Sequence, residues 1–241
     1  TKIADRKEGN TFASLYWVAE TFFSMGSASS QGGKASEDEA QQYFKKAAGT
    51  YLAIIKRIKE DPKFAPAGSE MAIKVRLAIC LRDMGKFEEA LKLLVAILKE
   101  KENRLDIQKE VAAIYQKWGA TKPTYYENAI KGSIQDGRYL VWGYGGIAKR
   151  VMAFLGTNKK YEDMFHECRF KLAECRYDLA RSQGGTQKKA TLEQAERDIS
   201  AIYRLYPSMG GPEWFARYDE LLGKIQNARG VKVTGLKGLE Q

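Results

Sequence analysis

The sequence predicts an all-α chain of about ten helices joined by short turns, and three observations predict it. Apolar residues recur at spacings of three and four: Phe44, Ala47, Tyr51, Leu52, Ile55 and Ile58 in one stretch, Ala90, Leu91, Leu94, Ile97 and Leu98 in another. That is the pattern of a helix with one buried face. All five prolines (Pro62, Pro66, Pro123, Pro207 and Pro212) fall between such stretches, and none interrupts one. Apolar and polar residues nowhere alternate for long enough to make a strand, and Val231 to Val233 is too short to count, so no sheet is expected.

The elements follow in order. The apolar run from Phe12 to Met25 predicts a helix over 11–25, ended by the glycine- and serine-rich joint from Gly26 to Lys34. A second helix over 35–60 opens on Glu37, Asp38 and Glu39, carboxylates that suit the positive end of a helix dipole. The joint carrying Pro62 and Pro66 closes it. Helices over 68–84 and 86–102 share the turn at Gly85, and the second opens on Glu88 and Glu89. A helix over 105–118 ends at Gly119, and others follow over 124–136, after Pro123, and 138–155. The turn at Gly156 leads to a helix over 159–182 with Glu162 and Asp163 in its first turns. Glycine-rich joints at 182–187 and 206–212 set off the last two helices, 189–206 and 212–228. Residues 1–228 read as a single helical domain. The end, 229–241, has three glycines and little apolar content, and reads as a flexible tail or linker.

Composition narrows the function. The 241 residues carry 40 Lys and Arg against 30 Asp and Glu, a formal charge of +10. An acidic partner is the natural electrostatic match. The cations are dispersed as short pairs, Lys45–Lys46, Lys56–Arg57, Lys149–Arg150 and Lys188–Lys189 among them. No long basic block interleaves with aromatics, which disfavours nucleic acid. No apolar run reaches the roughly 20 residues of a membrane span. The best candidate contains Glu20 and is preceded by Asp5 and Glu8, where a signal peptide would be basic. The cytoplasm is favoured, and export is compatible with a signal removed upstream. Three cysteines, Cys80, Cys168 and Cys175, are too few and odd in number for a disulfide framework. His166 is the only histidine and there is no Cys-x-x-Cys pair, so neither a zinc site nor any other metal or cofactor is expected. Without a histidine–carboxylate–nucleophile set there is little for acid–base chemistry, and the chain reads as non-enzymatic.

The turn glycines Gly85 and Gly119 lie 34 residues apart, the period of the tetratricopeptide (TPR) repeat. Leu77, Ala78, Leu81, Gly85, Phe87, Ala90, Leu94 and Ile97 resemble that family's packing pattern of large, small, turn-glycine, aromatic and small residues. Val111, Ala112, Tyr115, Gly119, Tyr126, Ala129 and Ile130 continue it after an insertion of about five residues. Ala195, Ile199, Ile202 and Pro207 resemble a second helix with its closing proline. The best-fitting repeats span 71–136, and the register of 138–190 is open. The resemblance implies a right-handed α-solenoid of antiparallel helix pairs that binds another protein or peptide on its concave face. In the register set by Gly85 and Gly119, the binding candidates are Val75, Ile79, Arg82, Lys109, Gln116 and Lys117. The Lys-plus-Asn pair of a carboxylate clamp is missing. The alternatives are a structural or oligomer-forming segment of a larger assembly and, more remotely, a basic nucleic-acid-binding domain.

Leu140 to Arg150 contains Gly143, Gly145 and Gly146 followed by a basic pair, which invites a phosphate-loop reading. No strand pattern precedes it and no Gly-Lys-Ser/Thr spacing is present. Glycine weakens a helix by about 1 kcal/mol relative to alanine, so a packing role is expected. Trp142 and Gly146 have the four-residue spacing of the TPR first helix.

Overall fold

The computed structural model describes residues 10–30 and 34–239. Asp5, Glu8, part of the joint from Gly26 to Lys34 and the last two residues of the chain lie outside them. Among the described residues are ten α-helices: α1 (Phe12–Ser29), α2 (Lys34–Glu60), α3 (Ser69–Asp83), α4 (Phe87–Glu100), α5 (Leu105–Gly119), α6 (Thr124–Lys131), α7 (Tyr144–Val151), α8 (Lys159–Arg181), α9 (Gly185–Leu205) and α10 (Pro212–Arg229). The described residues are all-α apart from one antiparallel hairpin, β1 (Ser133–Gln135) and β2 (Arg138–Val141). The chain divides after Lys101 into two compact units.

In the first unit, α1 and α2 are antiparallel. Arg57 donates to the Asn10 carbonyl, Tyr51 to Glu20 at 2.5 Å, and the rings of Phe23 and Phe44 meet edge to face at 6.0 Å. As the number rises along α1 it falls along α2. Arg76 of α3 reaches back to α1, 3.2 Å from Glu20 and 4.6 Å from the Phe23 ring centroid. Small residues stand at the tightest positions: Ala19, Ala47, Ala78 and Ala90 are wholly buried beside Tyr51, Leu77, Leu94 and Leu98. Ala78 and Ala90 come from α3 and α4, which pack on each other. Alternating small and bulky side chains lets helix backbones approach while the groove between them stays filled. Gly85 ends α3 with φ 75°, and the following Lys86 N–H returns to the Leu81 carbonyl at 2.8 Å. This left-handed stop is one that glycine adopts without strain.

In the second unit α5 and α6 form a pair through Trp118 and Tyr125, stacked at 3.7 Å. Gly119 differs from Gly85. It stays helical, and a Cβ there would lie 2.6 Å from the Tyr126 ring. The residues inserted before α6 let the chain turn later, so Gly119 serves close packing and not chain reversal. Two ion- and hydrogen-bonded rungs, Lys109 to Glu167 and Gln116 to Glu174, join α5 to α8. Both numbers rise together, so α5 and α8 run in the same direction. α9 follows α8 as its neighbour, tied by the Arg176–Asp198 pair, and Arg229 of α10 pairs with Glu196 of α9.

The hairpin replaces the ends of two expected helices, 124–136 and 138–155. Asp136 and Gly137 both have positive φ, 51° and 77°, as a two-residue type I′ turn requires. Trp142 lies in the link from β2 to α7, ahead of the helix on which it was expected. At the neck the backbone entering and leaving the hairpin touches: a Cβ on Gly143 would stand 2.4 Å from Gly132 N. Gly145 is likewise placed against the Ile130 carbonyl, at 3.3 Å. The glycine run sits where backbone meets backbone.

The expectation of a loose tail is corrected over its described part. The Gln226 carboxamide accepts from Thr234 N–H at 2.9 Å and Gly235 N–H at 3.0 Å, and Asp219 accepts from Leu236 N–H at 2.7 Å. Leu236 is completely buried. One apolar side chain and two polar side chains of α10 suffice to fold the segment back.

Candidate functional site

A groove in the first unit, between α3 and α4 with Leu52 of α2 at its edge, has a volume of about 690 Å³. Met71, Leu77 and Leu81 of α3 face Leu93, Ala96 and Ile97 of α4 across it. Leu52 is 54% exposed, an apolar side chain left in solvent at the lip. Along α3 the lining residues 70, 74, 77 and 81 form one stripe, spaced as i, i+4, i+7 and i+11. At about 1.5 Å per residue that stripe is roughly 16 Å long, three turns of helix. The rim is charged on both sides: Lys74 pairs with Glu70 at 2.7 Å, and Glu89, Lys92, Glu100 and Lys101 complete it.

Of the sequence-derived candidates, Val75, Ile79 and Arg82 lie on α3 but none lines this groove. Each is one residue or more around from the stripe, about 100° per residue. Val75 and Ile79 are half-buried, and Arg82 forks onto the neighbouring Asp83 at 3.0 Å through both Nε and Nη2. In the second unit, Lys109 and Gln116 are engaged within the fold. Lys109 donates to Glu167 at 2.7 Å. Burial works against the ammonium charge, but the Glu167 carboxylate more than offsets it and holds the Lys109 pKa above the ordinary lysine value. Gln116 donates to Glu174 at 2.6 Å and accepts from the Tyr144 hydroxyl at 2.9 Å, while Lys171 adds a second partner to Glu174 at 2.7 Å. These groups bind α5, α7 and α8 to one another. Lys117 is exposed. Eight residues from Lys109 amount to about 80° of rotation, enough to point it elsewhere.

Sequence reasoning missed the groove because its lining is ordinary packing material. Leu77, Leu81 and Ile97 were assigned to the core and are buried there, so they form only the floor of the groove. Exposed Leu52, next to buried Tyr51 in a helix of otherwise regular spacing, was the available signal.

The buried nucleophiles are quiet. Burial pushes the Cys80 and Cys168 thiols up to about 12 and Cys175 well above the usual value, so none is a thiolate near neutrality. Burial lowers the His166 pKa and keeps the ring neutral. Among the described residues no cluster of His, Cys, Asp and Glu could hold a metal ion, and no helix is long and apolar enough to cross a membrane. Comparison with profiles of known protein families, with characterised proteins and with solved structures gives no match.

Proposed function

We propose that the chain is a non-enzymatic protein-interaction scaffold, built of TPR-like helix pairs, that takes an amphipathic helix of a partner protein in the α3–α4 groove. The observation that carries this reading is the groove itself: Met71, Leu77 and Leu81 of α3 facing Leu93, Ala96 and Ile97 of α4, with an exposed leucine at the lip and charges along the edges. A helix presenting aliphatic residues at i, i+3, i+4 and i+7 matches such an apolar lining. Acidic residues flanking that face would meet Lys92 and Lys101.

Three features support the TPR-like part of the reading. Helices come as antiparallel neighbours, α5 and α8 run the same way as successive first helices of such an array do, and α3 reaches back to α1 through Arg76. On this reading α8 is a first helix and α9 its partner, and the hairpin with α7 is an insertion between repeats. The runner-up occupant is a second copy of this chain, as in a structural subunit.

The test is selection of helical peptides from a displayed library on the wild-type protein and on a Leu52→Glu, Ala96→Arg variant. Both positions are exposed, so the variant keeps its helicity and melting temperature. Peptides that bind wild type, survive high salt and lose the variant support the reading. Equal binding to both proteins overturns it, and self-association of wild type that the variant abolishes favours the second copy.

A further inference from the structure

The groove does not account for a second surface, in the other unit. Between Lys131 and Lys160 the chain carries six lysines and arginines and a single carboxylate, Asp136. The same stretch holds four large apolar side chains that stand in solvent: Ile134 at 67% exposure, Tyr139 and Met152 at 49%, and Phe154 at 44%. Ile134 and Tyr139 are direct partners across the hairpin, so both side chains lie on the same face. Trp142 follows β2 directly and links the hairpin to the end of α7 through Arg150. Arg150 itself stacks over the Trp142 ring at 3.6 Å. Met152 to Phe154 form the 3₁₀ turn directly after α7, and Phe154 stacks on Tyr161 at 5.1 Å, next to Lys160 at the start of α8.

We infer that the hairpin, the end of α7 and the following 3₁₀ turn form a docking surface for an anionic lipid bilayer. The apolar side chains stand exposed on the hairpin strands and the 3₁₀ turn, and an exposed apolar group needs either a matching pocket in a partner or a medium that deforms around it. A bilayer interface deforms, accepts aliphatic and aromatic tips at the headgroup level, and attracts Lys and Arg when its lipids are anionic. Single-stranded nucleic acid is bound by stacking bases on aromatic platforms. Ile134 and Met152 offer no such platform. Lys131 and Lys159 are held by Glu127 and Asp163 in exposed pairs four residues apart. Such pairs are weak enough to yield to a charged surface. Lys149 and Lys160 are exposed and extend the cationic rim.

The full chain is sedimented with phosphatidylcholine vesicles, with and without phosphatidylserine, and titrated separately with a single-stranded oligonucleotide. The expected result is binding that needs phosphatidylserine. It weakens about tenfold or more in Lys149→Glu with Lys160→Glu, and again in Ile134→Ser with Met152→Ser. All four positions are exposed, and circular dichroism confirms that each variant is folded. No binding to phosphatidylserine vesicles overturns the inference. Binding that ignores the Ile134 and Met152 substitutions also overturns it, because the apolar side chains then do not insert. Oligonucleotide binding without vesicle binding replaces the bilayer with nucleic acid.

Discussion

Lys109 and Glu167 join α5 to α8 across 2.7 Å, with side chains 26% and 35% exposed. A lysine that sequence spacing assigns to a ligand groove is thus a strut inside its own unit. Lys109→Glu places two carboxylates face to face and is expected to lower stability by about 1–2 kcal/mol, toward the upper end for a part-exposed pair. The exchanged double variant, Lys109→Glu with Glu167→Lys, is expected to recover most of that loss. Thermal melts of the four proteins complete the cycle, and a coupling near zero would show that the pair does not hold α8.

Gln108 is wholly buried and completes the edge of the hairpin. Its Nε2 donates to the Leu140 carbonyl at 2.9 Å and the Glu102 carbonyl at 3.0 Å, and its Oε1 accepts from Trp142 N–H at 3.0 Å. A two-stranded hairpin is marginal alone, and this carboxamide stands in for a third strand. Gln108→Ala leaves those backbone groups short of partners and is expected to cost about 2–4 kcal/mol. Gln108→Glu keeps the acceptor but loses the donor, so it is destabilised at neutral pH and regains stability in acid, where the protonated carboxyl donates. Urea denaturation at both pH values measures this, and a Glu variant as stable as wild type at neutral pH would refute the clamp.

The helices were legible because their signals are local. Eight of the ten α-helices lie within a few residues of the spans that apolar spacing and proline placement dictate, and Ala78 and Ala90 are buried where the small-residue pattern put them. The region from Ser133 to Trp142 was not legible in the same way. Its strands are three and four residues long, too short for alternation to outweigh the helical spacing on either side, and their support comes from Gln108, a residue 32 positions from Leu140. The Asp136–Gly137 turn was the one local cue. The candidate site failed for a related reason. Repeat register names the face of a helix, but what covers that face is decided by other helices: Glu167 and Glu174 on α8 occupy Lys109 and Gln116.

The glycines divide into two classes that substitution separates. A Cβ on Gly143 would meet the backbone of Gly132, Ala129 and Ile130 at 2.4–2.7 Å, and backbone cannot step aside. Gly143→Ala is expected to cost about 3 kcal/mol or more. Gly49, inside α2, has nothing within 4 Å of its would-be Cβ. Gly49→Ala is expected to add about 0.5–1 kcal/mol through helix propensity. Melting both variants against wild type checks the pair, and equal effects of the same sign would contradict the neck geometry.

His166 gives the fold a titratable weak point. The ring is 6% exposed, its Nδ1 has no hydrogen-bond partner, and the loop at Gly210 lies against it so closely that a Cβ there would fall 2.5 Å from the imidazole Cδ2. Burial depresses its pKa below 6.5. Glu162 and Asp163 pull the other way, and Lys159 adds to the depression. The unfolded chain therefore takes up the proton before the folded one does. Stability from this group is fully present above about pH 6.5 and is lost as pH falls from there through the folded-state pKa, with a slope of at most about 1.4 kcal/mol per pH unit. Asp178, whose pKa burial raises, acts in the opposite sense, so the raw pH profile mixes the two. The difference between wild type and His166→Phe isolates the histidine. The phenyl ring keeps the contacts with Phe165, Tyr206 and the Met209–Gly210 loop but cannot be protonated. Chemical denaturation from pH 7.5 to 5 is expected to show wild type losing stability relative to the variant below about pH 6.5. Parallel profiles for the two proteins would mean that the ring is solvated in acid without opening the loop.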